Sequence, residues 1–510
     1  MRYTDIIVGC GSAGAALTMR LSEDPARQVL VIEAGPDFTD ETVPDNIYYG
    51  REMSFADSDW GYRAEATDGR RIRFPRGKLI GGSSAVGATI GLRGMPHDYD
   101  EWEAAGNKGW GWADVLPYFR KLETDRDFTN ELHGNDGPVP IRRFPEAELS
   151  SLQRGFVEAC VAHGFDRVAD HNDPAASGVG SIPSTRLDAT RRFTTAAGYL
   201  EPARRRPNVT VWADTLVRRV VIESGRASGI ELQRAGGTEV VHGDRIVLAT
   251  GTVSTPFLLL HSGIGPAEEL RRIGIDVIAD LPGVGDNLVD HPRTGAFMVS
   301  RPGVLDRSLP FLQSILRTTS SGSQERNDMQ YYMINYFDLK YFPELQMLSG
   351  ASVIGGVMVC AQRPKSRGRL SLASADPDER PVIDLNFLSD PRDLVTMREG
   401  VRLAWELLNS APLGPYLERP LIVNDTMMAD EEMLDVYLHS SIDSTYHPVG
   451  TARMGPDGDP GAVVDSDCAV RGVEGLYVCD ASIMPNIPSA NTNLTSIMIG
   501  EKVADQLKGL

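Results

Sequence analysis

The residues best suited to chemistry gather at the two ends of the chain. Near the N-terminus, DIIVGCGSAG (residues 5–14) runs apolar Ile and Val into Gly9, Gly11 and Gly14, and QVLVIEAG (residues 28–35) closes a second apolar run on Glu33 and Ala34. Strand, glycine turn, helix, strand and acid is the order that a dinucleotide site requires. Gly9 permits the tight turn, Gly11 lets the backbone approach a pyrophosphate, and Gly14 lets the helix lie close to the strand. Unpaired N–H groups at the helix start then face the phosphates. Glu33, 19 residues after Gly14, sits where a carboxylate would accept hydrogen bonds from a ribose diol. Nicotinamide and flavin dinucleotides both fit this pattern, and a buried βαβ unit without ligand is the alternative.

Near the C-terminus, STYHPVGTARMG (residues 444–455) carries His447 ahead of Pro448 and Gly450, and GLYVCDASIMP (475–485) reads as a buried strand ending on Asp480. SANTNLTSIMIGEKVADQL (489–507) reads as a helix with Ser489 and Asn491 near its start, suited to capping and to aiming a positive dipole end at a ligand. A third glycine-rich stretch, RFPRGKLIGGSSAVGATIGLRG (73–94), holds Gly81 to Ser84, whose backbone N–H groups could approach a flat or anionic ligand.

These segments need a scaffold of matching size. At 510 residues the chain exceeds a single compact core, so two domains or large insertions are expected. Hydrophobic content of 41% and charged content of 24% belong to an ordinary globular protein. No apolar run reaches the ~20 residues of a membrane span, and the short lead into the first strand leaves no room for a signal peptide, so a cytoplasmic location is expected. Cys10, Cys160, Cys360, Cys468 and Cys479 are odd in number and scattered, which suits buried thiols in a reducing compartment and neither a disulfide framework nor a metal site. A formal charge of −19 argues against nucleic acid and would favour approach of a cationic substrate.

Between the termini, residues 36 to 70 read as loop with short elements, and helical periodicity follows around DYDEWEAAG, WADVLPYFRKLE and LQRGFVEACVAHG. NVTVWADTLVRRVVIESGRASGIEL alternates as strands broken by a hairpin turn at Glu223 to Gly225, and RIVLAT (245–250) is another buried strand. Residues 300 to 440 change character. SRPGVLDRSL and RTTSSGSQERND are linker-like, MQYYMINYFDLKYF is dense in Tyr and Phe, and VIGGVMVCAQ, GRLSLAS and PVIDLNF read as strands of an antiparallel sheet. LVTMREGVRLAWELLNS reads as a long amphipathic helix.

Taken together, these pieces resemble the glucose-methanol-choline (GMC) flavoprotein oxidoreductases along essentially the whole chain. The resemblance rests on the N-terminal fingerprint, on Gly77-Lys-Leu-Ile-Gly-Gly-Ser-Ser84, on Gly251-Thr-Val-Ser-Thr-Pro-Phe-Leu-Leu-Leu-His-Ser-Gly-Ile-Gly265, and on HPVGTARMG and PSANTNL in order. It implies an α/β fold: a Rossmann-like FAD-binding domain (1–150, 200–298 and 440–510) and a substrate-binding domain (151–199 and 299–439) with an antiparallel sheet and flanking helices.

The resemblance also implies bound FAD, with its ribose on Glu33 and Ala34 and its pyrophosphate on the turn at Gly9, Gly11, Ser12, Ala13 and Gly14. Val217 would contact the adenine, and Gly81, Gly82, Ser83, Gly87, Ala88 and Ile90 the isoalloxazine. Asp480 and Ala481 would lie near the ribityl-pyrophosphate. His447 and Asn491 are the implied catalytic pair. A neutral imidazole is a natural base for a hydroxyl proton, whereas an amide can only orient the substrate oxygen. His97, His133 and His291 lie in turn motifs and are expected to be structural. Two departures from the family pattern stand out. Val86 occupies a position where some members attach FAD through histidine, so noncovalent FAD is expected. Gly87 replaces the usual Asn or His, which leaves oxidase and dehydrogenase chemistry both open.

The implied activity is oxidation of a primary alcohol to an aldehyde by hydride transfer to flavin N5, with onward oxidation of the hydrate left open. Oxygen or another acceptor would take the electrons. Acidity of the chain favours an amino sugar or aminocyclitol of antibiotic biosynthesis as substrate. The stretch Tyr331 to Phe342 favours an aryl or furanic alcohol. An FAD-containing hydroxynitrile lyase and a nicotinamide enzyme are the rival readings. No membrane or nucleic-acid partner and no metal is expected.

Overall fold

The computed structural model describes residues 2–39, 41–50, 58–234, 236–339 and 343–509. The first apolar run forms the strand Tyr3–Val8, which lies parallel to Val29–Ile32 on one side and to the end of the long strand Gly237–Leu248 on the other. Val209–Trp212 and Leu476–Val478 extend this parallel sheet at its two edges. Its strands are buried on both faces, so they are continuous Val, Ile and Leu runs without alternation. The first half of Gly237–Leu248 leaves the parallel sheet to form an antiparallel ribbon with Arg226–Arg234 and Leu216–Glu223. The ribbon turns at Ser224 and Gly225, both with positive φ (51° and 79°), the conformation that a two-residue hairpin needs.

The helix that follows the glycine turn, Ser12–Leu21, packs against the last helix, Thr492–Lys508. A Cβ on Gly500 would lie 2.5 Å from the Ala13 carbonyl oxygen, so only glycine allows this approach. Arg20 forks onto Glu501 at 2.7 and 2.9 Å, and Ser12 Oγ donates to Asn493 Oδ1 at 2.7 Å.

A second, eight-stranded sheet carries Pro292–Ser300, Val353–Ala361, Met329–Asp338 and Leu312–Thr318 as antiparallel neighbours at its centre. Helices Ser151–Ala162 and Pro391–Leu408 cover one face. The pleat sorts the side chains: Tyr331, Met333, Val357 and Val359 join the core beneath the helices, while Tyr332, Ile334, Met358 and Cys360 form a separate apolar cluster with Ile90 and Leu312 on the other face. Pro292–Ser300 lies wholly in this sheet, pairing with Val353–Ala361 from Arg293 to Met298 and with Leu417–Pro420 from Met298 to Ser300.

GRLSLAS and PVIDLNF do not extend that sheet. Arg369–Ser371 and Val382–Asp384 pair with each other and with the hairpin Arg63–Thr67 and Arg70–Arg73 in a separate four-stranded sheet. The chain is turned away between them, where Asp393 accepts the Lys365 and Ser366 backbone N–H groups. The linker-like RTTSSGSQERND begins inside the strand Leu312–Thr318. Of MQYYMINYFDLKYF, residues 340–342 lie outside the described residues, and Met329–Asp338 is a central strand. Among the described residues no helix is long and apolar enough to cross a membrane.

Near the junction of the two sheets lies a buried ionic knot. His133 donates to Glu123 Oε1 and to Asp170 Oδ2, each at 2.9 Å, and its Nδ1 lies 3.0 Å from Asp125 Oδ2. Arg143 engages both Asp125 oxygens and Asp170, and Arg93 pairs with Glu123. Glu123, Asp125 and His133 have the spacing of metal ligands, but Arg93, Arg143 and the His133 ring already engage Glu123 Oε1 and both Asp125 oxygens, leaving Glu123 Oε2 without a partner among the described residues. Burial opposes charge on His133, yet hydrogen bonds to Asp125, Asp170 and Glu123 outweigh it and hold the imidazole up at about 10. A base raised from 6.5 contributes stability in full below pH 6.5 and loses it as pH rises through 10. His133→Gln should therefore cost about 3 kcal/mol at pH 6 and flatten the fall in Tm between pH 7 and 10. Thermal denaturation of both proteins across that range checks this, and parallel pH profiles would refute the assignment.

Candidate active site

A cavity of about 480 Å³ runs from the glycine turn to the apolar face of the second sheet. Every residue expected to meet cofactor or substrate lines it except Gly14 and Gly81. Those two shape it from behind. A Cβ on Gly14 would lie 2.0 Å from the Gly9 oxygen, so glycine lets the helix start press on the turn. Gly81, at φ 89°, donates its N–H to the Cys10 carbonyl at 2.8 Å and clasps the second glycine turn to the first. A Cβ on Gly82 would fall 2.8 Å from Gly11 Cα, so the two turns form one narrow backbone cradle.

Glu33 ends its strand with Oε2 accepting from Cys10 N (3.1 Å) and Oε1 from Gly35 N (3.0 Å). Burial pushes its carboxyl up to about 7. Asp480 faces the protein more than the cavity: Oδ2 accepts from Gly251 N and Thr255 Oγ1, and Oδ1 from Ser482. It thereby fixes the start of helix Gly251–His261 beside the cavity wall. At Gly87 an added Cβ would touch only the Ser83 oxygen, at 3.2 Å, which leaves a flat wall. Val86 is buried in a cluster with Ile47, Leu79 and Ala85. A backbone cradle, a buried carboxylate and a flat, open wall suit the pyrophosphate, ribose and ring of a flavin dinucleotide.

At the other end, hydrogen bonds assign the protons on His447. The Pro488 carbonyl can only accept, so His291 Nε2, 3.1 Å away, carries a hydrogen. Burial holds the His291 imidazole neutral, down at about 3, so its Nδ1 is a bare acceptor. His447 Nδ1, 3.1 Å from it, must therefore be the donor. His447 is itself held well below its usual value by burial first and then by His291, Arg76 and Arg293. Its one proton is thus on Nδ1, and Nε2 presents a lone pair.

Asn491 Nδ2 lies 3.0 Å from Nε2 of His447, and its Oδ1 lies 3.2 Å from the Tyr332 hydroxyl. Asn491 is the residue before helix Thr492–Lys508, but its side chain makes no capping bond and stays in the cavity. Ser489 does not cap either, because both its N–H and its hydroxyl go to Asp98. His447 is held from behind by Asp290 Oδ1, which accepts its backbone N–H at 2.9 Å. The preceding Tyr446 sits at φ 66°, a left-handed conformation worth about 1–3 kcal/mol of strain for a bulky residue.

The sequence pointed to His447 and Asn491, took His291 for a structural turn residue, named Tyr332 only within the aromatic stretch Tyr331 to Phe342, and gave no role to Arg76 and Arg293. The usable signal for His291 and Arg293 was the Asp290-His291-Pro292-Arg293 run, where buried charge and a strand-starting proline meet. Tyr332 could be assigned only after strand parity was known.

Two models of the GMC oxidoreductases match residues 3–293 and 364–500. The chain belongs to this family. It is 37% identical over 540 residues to the oxygen-dependent choline dehydrogenase of Sinorhizobium medicae (strain WSM419), covering 100% of this chain and 96% of that one. It is 35% identical to a GMC-type oxidoreductase in the thcA 5′ region of Rhodococcus erythropolis, with 99% of each chain covered. Among solved structures it superposes on pyridoxine 4-oxidase from Mesorbium loti with a TM-score of 0.92, at 32% identity and 100% coverage of both chains. The protein is an FAD-dependent oxidoreductase acting on CH–OH donors.

The position of Glu33 gives a direct test. Glu33→Ala should lower the flavin-to-protein absorbance ratio severalfold after desalting, while far-UV circular dichroism stays unchanged. Full flavin occupancy after dilution would place the ribose elsewhere.

Proposed function

We propose that the chain oxidises a primary alcohol to the aldehyde, with His447 as base and Asn491 as the residue that orients the substrate oxygen. One observation carries this reading: the His291–His447 tautomer leaves a lone pair on Nε2, in the cavity, beside an amide that cannot compete for a proton. FAD, when bound, supplies the acceptor for the hydride. The chain's own residues do the rest. His447 Nε2 takes the hydroxyl proton as the carbon gives up its hydride, so the imidazole gains one charge and the alcohol loses two electrons and two hydrogens. The Asn491 amide N–H holds the oxygen during that transfer. Tyr332, Phe311 and Met358 wall the site with apolar surface that excludes water.

FAD is held without a covalent bond in this reading, because Val86 offers no nucleophile. Among substrates, an aryl or furanic alcohol is favoured by the aromatic wall of Phe311, Tyr332 and Tyr446. A protonated amino sugar or aminocyclitol, the choice favoured by overall charge, would meet Arg76 and Arg293 beside His447. Local charge decides binding here, since the acidic excess is spread over the whole chain. Oxygen or another acceptor regenerates the cofactor.

His447→Ala should retain FAD yet slow anaerobic reduction of the flavin by about 10²-fold or more, the scale of a lost general base. Stopped-flow absorbance with a panel of benzyl and furfuryl alcohols measures it. Near-normal reduction by the variant would remove His447 from its role. Cleavage of a cyanohydrin with no bleaching by any alcohol would favour the lyase.

A further inference from the structure

The arginines that flank His447 are built into the cavity in an unusual way. Arg76 Nη1 donates to the Tyr446 carbonyl at 2.8 Å, but its Nε and Nη2 are buried and have no hydrogen-bond partner among the described residues. Burial lowers its guanidinium to about 10, against the opposing pull of Asp290 and Asp59. One face of that guanidinium covers the Phe74 ring, 4.7 Å from the centroid. Arg293, from the second sheet, donates through Nη2 to Asp443 and to the Tyr446 hydroxyl, both at 3.0 Å. Among the described residues its Nη1 meets only the Met358 sulfur, at 3.2 Å, a weak acceptor for so strong a donor.

The compensating acids stand outside the cavity. Asp443 holds the far edge of Arg293, and Asp290 spends one oxygen on the His447 N–H and the other on the Ser444 hydroxyl. Neither lines the cavity, whereas both arginines do. The carboxylates that do line it belong to its other parts: Glu33 at the glycine turn, Asp480 at helix Gly251–His261, and Asp378 paired with Arg218 beside Val217, with Glu379 next to it. The wall beside His447 thus offers Arg293 Nη1, held only by a thioether among the described residues, with the buried Arg76 guanidinium behind it, in a setting otherwise made of Tyr332, Phe311, Leu312 and Met358.

A buried, unpartnered guanidinium donor costs free energy unless something occupies it. A carboxylate is the group whose two oxygens match such donors. We propose that Arg293, with the buried charge of Arg76 behind it, forms an anion subsite that selects an alcohol bearing a carboxylate across an aromatic ring, of the type of a hydroxymethyl-benzoate. The proposal rests on the alcohol-oxidising reading of the same cavity. Arg293 is the specificity residue in it, because the second sheet carries it to the substrate side with Met358 and Tyr332. The reaction itself is unchanged: the CH₂OH group loses a proton to His447 and a hydride to the cofactor, and the carboxylate passes through untouched.

The test compares three para-substituted benzyl alcohols on the holoenzyme at pH 7.5, under anaerobic conditions: the carboxylate, the methyl and the aminomethyl compounds. The carboxylate should show an apparent Kd for flavin reduction at least ~10-fold lower than the methyl compound, the scale of one charge-assisted hydrogen bond. The ammonium should bind most weakly. Arg293→Gln should raise the carboxylate Kd at least ~10-fold and the methyl Kd far less, with FAD occupancy checked by absorbance. Arg76→Gln provides a second variant should the first fail to fold. Equal shifts for the carboxylate and methyl compounds would mean that the arginines only tune His447, and would overturn the proposal, as would preference for the ammonium. Binding of 4-methylbenzoate, read from the perturbed flavin spectrum, separates the two claims. If it binds tightly and loses affinity in Arg293→Gln while no alcohol bleaches the flavin, the anion subsite stands and the alcohol reading falls. If it fails to bind while benzyl alcohols bleach the flavin, the reverse holds.

Discussion

The close approach of the first and last helices is the constraint on which the site depends. Ser12–Leu21 is aimed by the glycine turn, and Thr492–Lys508 can lie against it only because position 500 has no side chain to strike the Ala13 carbonyl. Arg20–Glu501 and Ser12–Asn493 then fix the sliding and rotation of one helix on the other. Asn491 immediately precedes the second helix, so its amide is delivered to the cavity by a contact nine residues further along that helix, at Gly500. A bulkier residue at 500 would move the glycine cradle and the Asn491 amide apart together, although neither is touched by the substitution.

Electrostatics in the cavity follow from which side of each wall the acids take. Asp290 and Asp443 neutralise charge from outside, where their oxygens are used up by backbone N–H groups, a hydroxyl and a guanidinium. The inward surface is therefore rich in donors, and His447 is kept neutral by burial and by the cations facing it. Neutrality alone would not make it useful. Only the relay from Pro488 through His291 decides which nitrogen is bare, and it chooses the one that faces Asn491.

Much of this was legible in the sequence, but unevenly. The glycine turns, Glu33, His447 and Asn491 sit in short runs whose meaning is local: a turn, a strand end, a residue before a helix. The parallel strands were equally plain, since burial on both faces leaves continuous apolar runs. What escaped was set by pairing between distant segments. GRLSLAS and PVIDLNF have strand character, yet nothing in them states that their partner is the hairpin at 63–73 and not VIGGVMVCAQ. Tyr332 and Tyr331 are indistinguishable until the pleat sends one to the cavity and the other beneath a helix. The overall charge of −19 is a sum over the whole surface and carries no information about which charges face inward; beside His447 those are Arg76 and Arg293.

The two sheets also divide the labour in a way that couples them. The parallel sheet and its helices form the cofactor cradle, and the antiparallel sheet supplies Arg293, Tyr332 and Met358 to the substrate side. His447 belongs to the loop between them, and its proton is placed by His291, the residue just before the strand Pro292–Ser300 of the second sheet. His447 therefore acquires this tautomer only when the second sheet is seated against the C-terminal loop. Assembly of the fold and activation of the imidazole are one event, since the hydrogen bond that orients His447 is itself a contact across the junction.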